Sequence, residues 1–135
     1  MQRATRHGFT LVECAIVCAV TAILATVALP ALNGHALRTA RLDAVQALTR
    51  VHATQEQYRS LHGLYAGELS ALRGVAAVSE QGRYTVAIEL TGPDAYRATA
   101  RARGVQLSDH DCPALTLDVS LGFTTAGPGP QCWNR

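Results

Sequence analysis

The stretch GFTLVE (residues 8–13) opens the most apolar part of this 135-residue chain, which continues to Leu32. Residues 9–32 are about 24 positions, and a helix of that length spans about 36 Å, enough to cross a bilayer core of about 30 Å. Arg3, Arg6 and His7 lie just before it, and positive residues stay on the cytoplasmic side of a membrane. The sequence therefore predicts a membrane-spanning helix with its N-terminus inside.

One acidic side chain, Glu13, lies inside this apolar segment. A carboxylate in a membrane helix costs on the order of 3 kcal/mol, so it needs a partner. A secretory signal peptide shares the basic start and the apolar centre, but its apolar stretch is shorter, and Glu13 has no purpose in it. Cleavage after Gly8 would supply a partner, because the new α-amino group of Phe9 lies four positions from Glu13, or faces it across two subunits.

The GFTLVE string before a spanning helix resembles the prepilin peptidase site of type IV pilins and pseudopilins. In that family a membrane peptidase cuts after the glycine and methylates the new N-terminal phenylalanine, and the glutamate orients incoming subunits. The resemblance therefore implies cleavage after Gly8, N-methylation of Phe9 and an assembly role for Glu13. It also gives Pro30 a role in assembly, since pilins commonly carry a proline at this distance from the cut, where the helix can bend.

The residues after Pro30 predict a second, amphipathic part of the helix. Proline inside a helix removes a hydrogen bond and predicts a kink; a helix that ends at Leu29 and restarts after Gly34 is the alternative. The amphipathic helix should cover 35–62 and end at Gly63. Its charged residues, Arg41 and Asp43 among them, lie mostly off the apolar stripe, and its histidines are expected at the surface. The apolar stripe recurs at three- and four-residue steps: Leu37, Ala40, Ala44, Leu48, Val51, Gln55 and Tyr58.

Alternating apolar and polar residues predict strands in the C-terminal half. Three such segments lie at 84–90, 96–101 and 115–119, a fourth, short one is expected at 122–125, and the string TGPD at 91–94 is a turn signal. An antiparallel sheet of three or four strands packed on the amphipathic helix is an α+β arrangement. It is also the fold that the resemblance to type IV pilins implies.

Two cysteines near the C-terminus, Cys112 and Cys132, predict a disulfide and an oxidising compartment. Metal ligation is the alternative, although neither residue belongs to a CxxC. The bridge would close a loop of about 20 residues and stabilise the fold by about 3 kcal/mol in the chain-entropy model. The bridged loop ending in Cys-Trp resembles PilE-type pilins, whereas type II secretion pseudopilins usually hold this loop with calcium. Asp109, Asp111 and Asp118 do not match a known calcium loop, so we expect no metal.

Patterns and resemblance together predict the organisation of the chain. A leader peptide should occupy 1–8, a transmembrane and filament-core helix 9–33, and a globular pilin domain 34–135, with the sheet and disulfide loop at 83–135. We expect a structural subunit, a PilE-type minor pilin, that lies in the bacterial inner membrane before assembly and in the extracellular pilus afterwards. The implied partners are other pilin subunits, the prepilin peptidase, the inner-membrane assembly platform and membrane lipid.

The charge and the motifs of the chain bear on other functions. No Ser/His/Asp grouping, phosphate loop or paired acid and base is found, so neither an enzyme nor a cofactor is expected. Cleavage after Gly8 removes two of the 12 basic residues and leaves 10 against 10 acidic ones, whereas non-specific DNA binding needs an excess of basic groups.

A DNA-binding competence pilin and a type II secretion pseudopilin remain alternatives. Arg97, Arg101 and Arg103 share one strand face if their strand continues, Arg83 is expected nearby, and some pilin relatives bind DNA through such basic stripes. A solvated sheet face, or an edge guarded by charge, explains the same residues, and the neutral charge favours that interpretation over DNA binding.

Overall fold

The computed structural model of the chain describes residues 9–133, without the side chains at positions 30 and 31. The predicted leader at 1–8, with its Gly8, lies outside the described residues. Contacts divide the chain into two units, Met1–His35 and Ala36–Arg135.

A single helix, α1, covers Leu11–His62. It begins where the hydroxyl of Thr10 accepts a hydrogen bond from the backbone N–H of Glu13, at 3.2 Å. It ends at His62, because the next residue, Gly63, has a φ of 78° that suits glycine; its N–H donates to the carbonyl of Arg59 at 2.8 Å. The predicted stop at Gly63 is confirmed.

The helix is continuous through positions 30, 33 and 34, so the alternative of two separate helices is wrong. The kink at Pro30 stays a prediction. Over 9–29 every side chain is exposed, and by length and composition α1 is able to cross a membrane. Apolar surface of this size is stable only when lipid or neighbouring helices cover it.

Among the described residues four strands form one antiparallel sheet, which confirms the predicted sheet of three or four strands, and neighbours in the sheet are also neighbours in the sequence, an order that the sequence did not predict. Alternate residues point inward, as the sequence pattern requires. Three short 3₁₀ helices lie at Leu69–Ala71, Gly104–Ser108 and Pro130–Trp133. The strands are β1 (Tyr84–Gly92), β2 (Ala95–Ala102), β3 (Ala114–Ser120) and β4 (Phe123–Gly127).

The core lies between the second part of α1 and the inner face of the sheet. Ala44, Leu48 and Val51 of α1 are fully buried there, in one cluster with inward side chains of β1, β2 and β3. Tyr65, from the loop after α1, packs its ring edge-on against Tyr96 at 4.8 Å between centroids. The α+β layers of the type IV pilin fold are thereby confirmed.

Two charged residues on α1 are buried although they lie off the predicted apolar stripe. Only 4% of the surface of Arg41 and 2% of that of Asp43 is exposed. The reason is that α1 is covered by loops as well as by the sheet, so its buried face is wider than the apolar stripe. His52 is half-buried, and its Nδ1 lies 2.9 Å from the hydroxyl of Tyr96.

The predicted disulfide between Cys112 and Cys132 is present, with its Cα atoms 5.6 Å apart. Both cysteines are fully buried. The indole N–H of Trp133 donates to the carbonyl of Gly127 at 2.8 Å, which fixes the end of the bridged loop against β4.

Candidate functional site

The N-terminal segment holds two of the residues predicted for processing and assembly. Phe9 is 81% exposed, and Glu13 is exposed one turn further along. The Thr10 hydroxyl that accepts from the N–H of Glu13 makes this pair a T-x-x-E capping motif. Glu13 therefore lies where it can support the helix start as well as meet an amine. The T-x-x-E spacing of this cap is visible in the sequence, although the cap was not among the predicted features.

The outer face of the sheet carries the arginines considered for DNA. Arg97 and Arg101 lie on the exposed face of β2. The strand ends at Ala102, but Arg103 keeps an extended backbone, with φ −140° and ψ 161°, and its N–H donates to the carbonyl of Arg83 at 2.9 Å. The backbone pairing thus continues past β2 and brings Arg83, Arg101 and Arg103 to the same end of the sheet.

Unlike these three arginines, Arg97 is paired with acidic side chains on both neighbouring strands. In the sheet register it lies opposite Glu89 of β1 and Asp118 of β3. Its Nε donates to Asp118 Oδ1 at 2.6 Å, and its Nη1 lies 3.9 Å from Glu89 Oε1. The hydrogen bond to Asp118 raises the pKa of Arg97. Two carboxylates therefore offset the charge of Arg97 within the sheet.

The remaining arginines form what we call the basic cluster, namely Arg83, Arg101 and Arg103. All three are exposed, and among residues 9–133 none of them has a carboxylate within 4.0 Å. A cluster of three unneutralised guanidinium groups is an electrostatic site for an anion such as phosphate.

A buried carboxylate on α1 anchors the turn that carries Arg83. Asp43 accepts hydrogen bonds from the hydroxyl of Ser79, from the N–H of Gln81 at 3.1 Å and from the N–H of Arg83 at 3.4 Å. The Ser79 hydroxyl in turn accepts from the N–H of Tyr84 at 2.9 Å. The turn is thus fixed to the helix by an acceptor whose partners lie about 40 residues away in sequence.

A second buried network fixes the loop after β2 and the disulfide loop. Arg41 donates from Nε and Nη2 to both carboxylate oxygens of Asp109, each at 2.7 Å, and from Nη1 to the carbonyl of Gln131 at 3.0 Å. Gln106 donates to Asp109 and to the carbonyl of Leu37, each at 3.1 Å. The hydrogen bonds to Asp109 raise the pKa of Arg41, so the buried guanidinium keeps its positive charge.

The hydroxyl of Tyr84 lies buried near this network. Burial, followed by the negative charge of Asp109, raises the pKa of Tyr84 to about 12. The fold therefore favours the neutral tyrosine over the charged one. The stability that depends on the neutral form is fully present below about pH 10, the pKa of an unfolded tyrosine, and is lost as the pH rises towards 12.

Comparison with known proteins identifies the family. A family model described as "Type IV minor pilin ComP, DNA uptake sequence receptor" matches residues 30–116, and one for the prokaryotic N-terminal methylation motif matches residues 3–29. The fimbrial protein of Neisseria meningitidis serogroup B (strain ATCC BAA-335 / MC58) is 36% identical over 86 residues, 63% of this chain and 50% of that protein. The fimbrial protein EcpC of Eikenella corrodens is 30% identical over 113 residues, 78% of this chain and 72% of that protein.

The matches agree with the structure in two independent regions. The methylation motif covers the apolar segment that α1 exposes, and the minor pilin model covers most of the helix-on-sheet unit. The chain spans half the length of the Neisseria fimbrial protein and about seven tenths of EcpC. The chain therefore belongs to the type IV minor pilins.

Proposed function

We propose that this minor pilin binds DNA through the basic cluster of Arg83, Arg101 and Arg103. The observation that carries the proposal is the exposure of three arginines on one face without a neighbouring carboxylate among residues 9–133, while Arg97 on the same face is offset. The matched family is described as a DNA uptake sequence receptor, which favours DNA over a merely solvated sheet face. A local cluster of basic groups is enough to contact phosphates, even though the chain after cleavage would have equal numbers of basic and acidic residues.

The spacing of the cluster suits a phosphate backbone. Arg101 and Arg103 lie two residues apart on an extended chain, about 7 Å, and Arg83 is on the neighbouring backbone segment. One DNA strand carries a phosphate about every 3.4 Å of axis, so the cluster covers two or three phosphates. Contacts of this kind set affinity and position, whereas sequence preference requires contacts with base edges.

Replacing Arg101 with alanine should weaken DNA binding and lower the dependence of affinity on salt. One lost phosphate contact reduces the slope of log K against log salt by about 1, and the Arg83→Ala, Arg101→Ala, Arg103→Ala variant should reduce it by about 3. Fluorescence anisotropy of a short duplex between 50 and 200 mM salt, with the full chain in detergent, measures both quantities.

Arg73→Ala is the matched control, because Arg73 is exposed, lies outside the cluster and carries the same charge. It should leave the slope unchanged. Equal effects of Arg73→Ala and Arg101→Ala would show that only net charge matters and would remove the cluster as a site.

We also infer that the chain is cleaved after Gly8 and methylated on Phe9, and that it lies in the inner membrane with a cytoplasmic N-terminus before the assembly platform takes it up. The match of residues 3–29 to the methylation motif and the exposed apolar segment of α1 support this maturation. The disulfide loop and the minor pilin match favour a pilus over a type II secretion pseudopilus. In the filament, Glu13 meets the amine of a neighbouring Phe9, and Pro30 allows the helix to adjust.

A Glu13→Gln variant should be cleaved normally yet enter pili poorly. Glutamine keeps the T-x-x-Q form of the capping motif but cannot pair ionically with an amine. Glu13→Ala loses both properties, so comparison of the two separates helix capping from charge pairing. The readout is the ratio of this subunit in sheared pili to that in membranes, which should fall about tenfold or more in both variants if the ion pair contributes at least about 1.4 kcal/mol. Normal incorporation of Glu13→Gln would assign Glu13 to capping alone.

A further inference from the structure

The backbone of Arg83 is held on both sides by hydrogen bonds. Its N–H donates to the carboxylate of Asp43 at 3.4 Å, and its carbonyl accepts from the N–H of Arg103 at 2.9 Å. A chain of contacts therefore runs from α1 through the backbone of Arg83 to a second member of the basic cluster. This chain links a buried acidic side chain of the helix to the exposed arginines.

The carboxylate of Asp43 is almost fully buried, and its three described donors all belong to the segment 79–83. A buried carboxylate is costly unless hydrogen bonds satisfy it, so moving this segment away from α1 would leave the charge without its donors. Ser79 reinforces the turn, because its hydroxyl accepts from the N–H of Tyr84 and its own N–H donates to the carbonyl of Tyr84, each at 2.9 Å. The segment is thus held to the helix and to the start of β1.

Arg83 is the member of the basic cluster whose position depends most on this contact. Like charges repel, so three exposed guanidinium groups at one end of the sheet tend to move apart. The backbone of Arg101 is fixed because it pairs with β1 on one side and β3 on the other, and Arg103 continues that extended backbone. Arg83 instead lies in the turn before β1. A tether to α1 therefore opposes the repulsion where the sheet itself does so least.

We propose that Asp43 is a positioning residue for the DNA site, an inference that rests on the proposed function. It holds Arg83 beside Arg101 and Arg103, so the three guanidinium groups are presented to phosphates together. Asp43 is only 2% exposed and does not touch DNA itself. Its effect on affinity comes from preorganisation, because a site that is already ordered loses less conformational entropy on binding.

Net charge and positioning predict changes of opposite sign. Asp43→Asn removes a negative charge, so electrostatics alone predicts tighter DNA binding. Positioning predicts binding that is weaker by about threefold or more, because Arg83 is no longer held in place. A purely structural anchor predicts a lower melting temperature with unchanged affinity of the folded chain. Asparagine keeps the size of the side chain and one acceptor oxygen, which favours retention of the fold.

The test measures fluorescence anisotropy of the same short duplex, with the full chain in detergent and below the melting temperature of every variant. Asp43→Asn and Ser79→Ala should each bind about threefold or more weakly, and the slope of log K against log salt should fall by up to about 1. Combined with Arg83→Ala, neither change should weaken binding further, because both act through that side chain. Combined with Arg73→Ala, both should keep their full effect.

Amide hydrogen exchange provides a readout that does not involve DNA. The N–H groups of Gln81 and Arg83 donate to Asp43, so in Asp43→Asn both should exchange about tenfold faster or more. Asp94→Asn is the matched control, because it removes the same charge from a carboxylate that ties another turn to Arg59 of α1 at 3.1 Å. That turn lies at the opposite end of β2 from the cluster, so this variant should bind DNA at least as well as the wild type.

The outcomes distinguish the positioning role from the DNA site itself. If Arg101→Ala binds weakly while Asp43→Asn and Ser79→Ala bind as the wild type or more tightly, the positioning role is wrong and the DNA site stands. Unchanged amide exchange in Asp43→Asn, or an equal loss of affinity in Asp94→Asn, would also contradict the positioning role. If Arg101→Ala itself binds like the wild type, the DNA site is wrong and the positioning role fails with it.

Discussion

A Gly8→Leu variant is expected to remain uncut and to be absent from pili. The proposed cut by a membrane peptidase follows this position, and glycine allows a backbone to approach an enzyme closely because it has no Cβ. A leucine side chain blocks that approach. The uncut chain keeps Arg3 and Arg6 and forms no α-amino group on Phe9, so Glu13 has no partner in the apolar filament core.

The measurement is intact mass spectrometry of the membrane fraction together with immunoblots of sheared pili. Gly8→Leu should give the mass of the chain that starts at Met1, and the pilus signal should fall below detection. Thr5→Leu introduces the same side chain three residues earlier and should mature normally. A Gly8→Leu chain that begins at Phe9 would show that residue 8 does not determine the cut.

The parts of the fold that the sequence predicted are those set by local pattern. Alternation marks the inward residues of β2, and Gly63 ends α1 because a positive φ there suits glycine. The buried charges could not be predicted in this way, since a periodicity analysis assigns every charge to the surface. Arg41 can be buried because its guanidinium is paired with the carboxylate of Asp109, which lies 68 residues away in the sequence. A local sequence pattern cannot predict such a distant pairing.

The candidate sites also differ in whether local sequence or distant contacts determine them. The GFTLVE segment is contiguous, so the sequence alone was enough to propose the processing site. The basic face needed the sheet register, because only the register brings Glu89 and Asp118 to Arg97 and leaves Arg101 unpaired among the described residues. The turn between β3 and β4 has Leu121, with a φ of 52°, at its first central position. Glycine or asparagine is usual at such a position, so the sequence did not predict this turn.

Removal of Asp109 should cause a large loss of stability in the globular unit. Asp109→Ala leaves the guanidinium of Arg41 buried without its two short hydrogen bonds to a carboxylate; the carbonyl of Gln131 at 3.0 Å and the exposed carboxylate of Asp111 at 4.0 Å remain. Breaking a buried pair in this way costs about 3–5 kcal/mol, a large fraction of the 5–15 kcal/mol that holds a typical domain together. Denaturant unfolding of the full chain in detergent, followed by the fluorescence of the single Trp133, measures the loss.

Two further variants show whether the loss of stability comes from leaving a buried charge unpaired or merely from losing a contact. In Arg41→Met combined with Asp109→Leu both charges are replaced by apolar side chains, so the loss should be well below that of Asp109→Ala, although Gln106 loses one acceptor. Arg50→Ala is the control for an exposed pair, because Arg50 and Glu80 are 59% and 71% exposed, and it should cost less than about 1 kcal/mol. If Asp109→Ala cost no more than Arg50→Ala, the buried pair would not be what holds the loop after β2 and the disulfide loop to α1.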